Sequence, residues 1–286
     1  MRVAHGHRSQ EKGELLGPVD GRLSPPHRGV AQLPPLPDSL IFLVEAGSTA
    51  HGTGLPGHED RDEVGVYVEG LEEVFGLVPS RRALVLRTAP EGARSWPGDI
   101  DRTLYTLRHF LALAAAGNPS VLMCLWAPVV SITPLGEDLR ALAPAFVGRH
   151  IVARYRGYMR AQAERLAGRT GHSGHGVRGS GARPELVAEH GWDTKFAMHC
   201  ARLGFQGVEL LKTGRLTLPM AGEPGEWLRS VRRGEVGADE WAARCASLDT
   251  ELARLGGDKR LPAGPDRERI VAWSAEAHRQ AWGWVP

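Results

Sequence analysis

Leu40-Ile41-Phe42-Leu43-Val44-Glu45-Ala46-Gly47-Ser48, followed after eleven residues by Asp60-Arg61-Asp62-Glu63-Val64-Gly65-Val66-Tyr67-Val68-Glu69, is the stretch that decides how this chain is read. The run Leu40 to Val44 is short, apolar and partly β-branched, which predicts a buried strand. The alternation from Glu63 to Glu69 predicts a second strand. If that strand starts near Asp62, Asp60 and Asp62 share one face, because side chains alternate with period two. Two such carboxylates cannot both stay ionised without a compensating cation. A hard divalent ion such as Mg²⁺ supplies it, taking one or two carboxylates plus phosphate oxygens. A pair of ions about 3.5–4 Å apart would clamp both oxygens of an in-line phosphoryl displacement. A third acid from another strand would complete the site, and Asp101 is the candidate. Gly47 lets the backbone turn closely past a phosphate, where the following amides and the Ser48 hydroxyl can donate. Gly52 and Gly54 keep any helix begun near Thr49 short.

Outward from this stretch, Ala83 to Thr88 predicts a third strand, and Ile100 to Tyr105 reads as a strand or a helix entry. Tyr105 to Ala115 has helical spacing, with Leu107, Phe110, Leu111 and Leu113 on its apolar side. Beyond about Pro128 helical patterns take over, at about 136–168, 191–212, 224–232, 237–255 and 266–282. Residues 168–181 break them with Gly, His and Ser and read as an exposed loop. Residues 1–37, rich in Pro, Gly and His, read as a flexible tail with too little apolar surface to fold. Strands followed by helices indicate an α+β domain joined to an all-α one. The expected boundaries are 38–130 and 131–286.

Composition constrains the partners. The 286 residues carry 35 Lys+Arg against 33 Asp+Glu, a formal net of +2. That excludes a strongly basic nucleic-acid coat, although not a local basic cleft. Cys124, Cys200 and Cys245 lack paired spacing and read as free thiols of a reducing cytoplasm. No apolar run is long enough to predict a membrane span or a signal peptide. His172, His175, His190 and Cys200 match no usual zinc spacing, so no zinc is expected.

Four blocks, in order across about residues 40–220, resemble a known superfamily. They are Ala46 to Gly54; Glu59 to Val66; Asp101-Arg102-Thr103-Leu104-Tyr105-Thr106-Leu107-Arg108 through Gly117-Asn118-Pro119-Ser120-Val121-Leu122; and Trp192-Asp193-Thr194-Lys195-Phe196-Ala197-Met198-His199 through Glu209-Leu210-Leu211-Lys212-Thr213-Gly214. The chain resembles the DNA polymerase β-type nucleotidyltransferases, and more narrowly the RNA-repair-pathway polymerase-β-like family. The resemblance implies a small mixed sheet flanked by helices, then a helical domain, with the active site in a cleft between them. It implies that Asp60, Asp62 and Asp101 are catalytic and bind two Mg²⁺ ions, with Mn²⁺ as a substitute. Gly47 and Ser48 would hold the β- and γ-phosphates of an NTP, ATP by expectation. The acceptor hydroxyl would belong to an RNA end; a protein or small-molecule acceptor, or a non-catalytic nucleotide-binding module, is the alternative.

Lys195, His199 and Arg202 fall at i, i+4 and i+7 on one helix face. On spacing alone they read as a solvated face; with the resemblance they read as nucleotide contacts across the cleft. His51 lies in the Gly-rich loop and either donates to phosphate or fixes the loop. Arg108 is a weaker candidate of the same kind, and Asn118-Pro119 reads as a helix start. Three departures from the family pattern stand out. Arg61 and Glu63 occupy positions usually apolar, which predicts a more exposed strand edge, and Met123 replaces an acid common in relatives.

Overall fold

The structure, a computed structural model, describes residues 33–54, 61–77, 81–89, 98–168 and 182–284. Asp60, most of the expected tail and almost all of the expected 168–181 loop lie outside the described residues. The apolar run becomes β1 (Leu40–Glu45), followed by a single turn of helix, α1 (Gly47–His51), and by β2 (Arg61–Tyr67). A short α2 (Leu71–Phe75), β3 (Ala83–Arg87) and β4 (Ile100–Thr106) come next, so the stretch from Ile100 resolves as a strand. The five-stranded sheet has the order β3-β4-β2-β1-β5, where β5 is Val129–Ile132. Only β2 and β4 run parallel; the other neighbours are antiparallel. The fold is therefore α+β with a small mixed sheet, as the alternating strands predicted.

β5 was not anticipated. Its four residues, Val129-Val130-Ser131-Ile132, are too few to show an alternating pattern. They form a strand by pairing antiparallel to β1.

Helices cover one face of the sheet. α3 (Leu107–Ala115) and α4 (Pro119–Leu122) bury Leu107, Phe110, Leu111, Val121 and Leu122 against Phe42, Val44 and Val66. Thr106 accepts from the His109 amide and caps α3, while Asn118 caps α4 ahead of Pro119. The helical pattern predicted at 136–168 is two helices, α5 (Pro134–Ala141) and α6 (Ile151–Leu166). Pro144 lacks an amide donor and interrupts the helix, and a Cβ at Gly148 would lie 2.8 Å from the Pro262 carbonyl oxygen.

The rest is α7 (Pro184–His190), α8 (Thr194–Thr213), α9 (Gly222–Arg232), α10 (Ala238–Gly256) and α11 (Arg267–Ala281). α8 is the central helix. The Asp193 carboxylate accepts the Lys195 and Phe196 amides at its start, and Gly214 in the left-handed region ends it. Gly207 lets α6 and α10 approach it, since a Cβ there would lie 2.8 Å from Tyr155 and 2.9 Å from Leu252. One hydrophobic core runs without interruption from the strands through α6, α8 and α10. A smaller cluster, Leu43, Tyr67 and Leu104, lies on the opposite face of the sheet. No described helix is long and apolar enough to cross a membrane.

α11 is latched to the sheet. The Trp282 indole donates to the Glu69 carbonyl at 2.8 Å, and the buried His278 imidazole stands 3.4 Å from the Glu69 carboxylate. His278 Nδ1 donates to the Ser274 carbonyl at 2.7 Å. Burial alone would lower His278, but its contact with Glu69 and the Ser274 carbonyl outweigh burial and the repulsion of Arg108, raising it. Burial likewise pushes Glu69 up, and the His278 contact reverses that to a net lowering. A raised imidazole stabilises the fold below its unfolded value of 6.5 and loses that effect as pH rises through the folded value. A lowered carboxylate stabilises above 4.5 and loses that effect on acidification. The latch is therefore strongest between those two values. His278→Gln should lower the melting temperature more at a pH inside that window than at alkaline pH. Equal losses at both would show the pair is not ionic.

Candidate active site

The turn that follows β1 closes against the Asp62 carboxylate. Gly47 has φ 59°, and a Cβ there would lie 1.9 Å from Asp62 Oδ2. Glycine is required twice over, by the left-handed backbone and by the contact. The Ala46 amide donates to the Asp62 carbonyl at 2.8 Å, which fixes the turn to β2. α1 is one turn long because Gly52, with φ 68°, ends it. The chain then folds back, the Thr53 amide donating to the Ser48 carbonyl at 3.0 Å. The first amides of such a turn have no partner within the helix.

The carboxylates form a row. In the parallel β2–β4 ladder Asp62 is paired with Asp101, and in the antiparallel β3–β4 ladder Asp101 is paired with Arg87. Directly paired residues project to the same face, on strands about 4.8 Å apart. Arg87 Nε donates to Asp101 Oδ2 at 3.0 Å. Across the sheet the sequence is thus Gly47 turn, Asp62, Asp101, Arg87. Adjacent carboxylates with a backbone turn beside them are a hard, oxygen-only donor set, which fits Mg²⁺ or Mn²⁺. Asp60, two residues before Asp62, lies outside the described residues. Among the described residues no group of three or more His, Cys, Asp or Glu is placed to hold a metal ion. His172 and His175 lie outside them.

The other face of β2 corrects one expectation. Glu63 does not make an exposed edge; it is 2% exposed. Its carboxylate accepts from Arg102 Nε at 2.7 Å and pairs with Arg102 Nη2 at 2.6 Å and Arg61 Nε at 2.9 Å. Arg61 turns to that same face, away from the Asp62 row. Met123 is likewise buried, in the core. The Arg108 amide donates to the Glu69 carboxylate.

α8 stands behind the Gly-rich turn. His51, 4% exposed, meets Arg202 Nη1 through Nε2 and the Gln206 amide through Nδ1 at 3.1 Å. Arg202 can only donate, so His51 Nε2 accepts from it. The His51 carbonyl also accepts the Met220 amide at 3.1 Å. Burial, then Arg202, then His199 hold His51 well below the usual imidazole value of 6.5. His199 is lowered in the same way, by burial first and then by Arg202, Lys195, Arg183 and Arg232. Burial lowers Arg202 to about 10, still charged at neutral pH. Lys195, His199 and Arg202 therefore come together as their spacing predicted, and Arg183 and Arg232 join them from outside α8. Arg183 pairs with Asp193 at 3.0 Å. Arg87, Arg183 and Arg232 were not anticipated, because each reaches the region through tertiary contacts that no local spacing encodes; Gln206, four residues after Arg202 on α8, was passed over although the helical spacing carries it.

The mixed sheet thus sets a Gly-Ser turn against paired strand aspartates. The sequence matches the RNA repair pathway DNA polymerase beta family over residues 27–227, and the chain belongs to that family. A search of solved structures returns the crystal structure of a nucleotidyltransferase-like protein from Exiguobacterium sibiricum 255-15. It is 10% identical, covering 87% of this chain and 75% of that one, with a TM-score of 0.28. No match was found among curated proteins.

Proposed function

We propose that the chain transfers AMP from ATP to a hydroxyl at an RNA end, with Mg²⁺ at the carboxylate row and pyrophosphate released. The observation that carries this is the Gly47 turn closed against Asp62, with Asp62 in register with Asp101. In this reading Gly47 and Ser48 hold the β- and γ-phosphates, and Asp60, Asp62 and Asp101 hold two divalent ions. Bound there, the ions would neutralise charge on the phosphate oxygens and the leaving group. Asp101, one strand further from the turn, orients the acceptor hydroxyl and takes its proton. The hydroxyl oxygen then bonds to the α-phosphorus as the bond to the bridging oxygen breaks, its electron pair leaving with pyrophosphate. Catalysis is positioning and charge neutralisation rather than covalent chemistry.

Residues 38–130 supply this side of the site, and residues 131–286 supply the other wall through Lys195, His199 and Arg202. The positive charge of Lys195 and Arg202 offsets the triphosphate, while His51 keeps the turn in place. The RNA acceptor follows the family's description, and a cytoplasmic setting suits the three free thiols. The test is pyrophosphate release with each NTP and Mg²⁺, with and without bulk RNA. Release from ATP only when RNA is present is the expected result. Release without RNA would move the acceptor to a protein or small molecule. No release with any NTP would leave a nucleotide-binding module.

A further inference from the structure

The row of charges across the sheet does not end on a carboxylate. It ends on Arg87, at the C-terminal end of edge strand β3, with its guanidinium Nε 3.0 Å from Asp101 Oδ2. Register and contact agree, since Arg87 is the direct cross-strand partner of Asp101. Among the described residues nothing encloses this pair. The two side chains are 47% and 37% exposed, and Val85, on the same face of β3, is 55% exposed. The guanidinium therefore has solvent to move into without disturbing the core. Arg61 and Arg102, the nearest arginines along β2 and β4, turn to the opposite face and are bound to Glu63.

We propose that Arg87 is a built-in counter-ion for Asp101, which holds the carboxylate in place until a divalent cation takes it over. Resting on the reading of Asp62 and Asp101 as cation ligands, this makes Arg87 a positioning residue that competes with the cation for one carboxylate. The competition keeps Asp101 neutralised while no cation is bound, and it weakens cation binding until substrate phosphates add their own oxygens. Its cost to cation affinity is bounded, because an ion pair this exposed contributes little in water.

The probe is Mn²⁺ binding to the full chain without nucleotide, measured by electron paramagnetic resonance. Arg87→Gln should bind Mn²⁺ about two- to five-fold more tightly, the range an exposed pair accounts for. Arg82→Gln, which removes an equal charge from the start of β3, should leave the affinity unchanged. In an Asp101→Asn background, Arg87→Gln should have no further effect, since the coupling runs through that carboxylate. Unchanged or weaker binding in Arg87→Gln overturns the proposal, and so does an equal gain in the Asp101→Asn background. Pyrophosphate release by the unmodified chain separates the two readings: if it persists, only the role of Arg87 has failed. If the unmodified chain neither releases pyrophosphate nor binds Mn²⁺, both have.

Discussion

Asp62→Asn abolishes nucleotide turnover, by about a thousand-fold or more, and leaves the melting temperature where it was or slightly higher. The two halves of this expectation come from different parts of Asp62. Its carbonyl accepts the Ala46 amide and so ties the Gly47 turn to β2, and that bond survives any change of side chain. Its carboxylate faces the turn and lies in register with Asp101, the arrangement proposed to hold the cations. Asparagine keeps the shape but removes the charge, and with it stabilisation given to charge developing during transfer, a term that commonly exceeds 10²-fold for one group. Removing one of two adjacent carboxylates also relieves their repulsion, which offsets what the change of side chain loses. Pyrophosphate release and a thermal melt of the same preparation check both halves. Near-normal turnover in Asp62→Asn and in Asp60→Asn would remove the cation assignment.

How much of this was legible in the sequence depended on whether the information was local. β1, β2 and β3 were readable because burial on a sheet imposes apolar runs or alternation, and α8 through α11 because their apolar stripes recur with helical spacing. The Gly47 turn was readable as a tight turn because glycine tolerates a left-handed backbone, but the Asp62 carboxylate at contact distance was not. Strand order was not readable, and it decides the site. Asp101 enters the row only because β4 lies parallel beside β2, and Arg87 only because β3 pairs on its far side. Glu63 was misjudged from the same lack. Beside Arg61 in the sequence it reads as an exposed strand end; with Arg102 across the ladder it becomes a buried ion pair.

That pair carries the second large expectation, on stability. Glu63→Ala should lower the unfolding free energy by about 3–5 kcal/mol, because it leaves the guanidinium of Arg102 buried with no carboxylate to meet it. Arg102 is 12% exposed, and its Nε and Nη2 both end on Glu63. Arg61, half in solvent, can rehydrate and adds little to the loss. Glu63→Gln should cost less, about 1–3 kcal/mol, since the amide oxygen still accepts one hydrogen bond. The informative variant is the double one, Glu63→Leu with Arg102→Leu. Leu43, Leu84, Leu86 and Leu104 already cluster on this face of the sheet, so two more leucines extend an existing apolar surface. Buried ion pairs replaced by packed hydrophobic groups often lose no stability, because the desolvation of both charges is removed with the attraction. Urea unfolding should therefore place the double variant near the unmodified chain and Glu63→Ala far below it. If the backbone ladder alone holds the β2–β4 register, turnover returns with stability in the double variant, since Asp62 and Asp101 again lie side by side. Stability without turnover would mean that the ion pair sets the register of the carboxylate row, and Glu63 would then be a positioning residue acting through the strand. A Glu63→Ala chain within about 0.5 kcal/mol of the original, the scatter of ordinary surface changes, would show that Arg102 finds water or another partner.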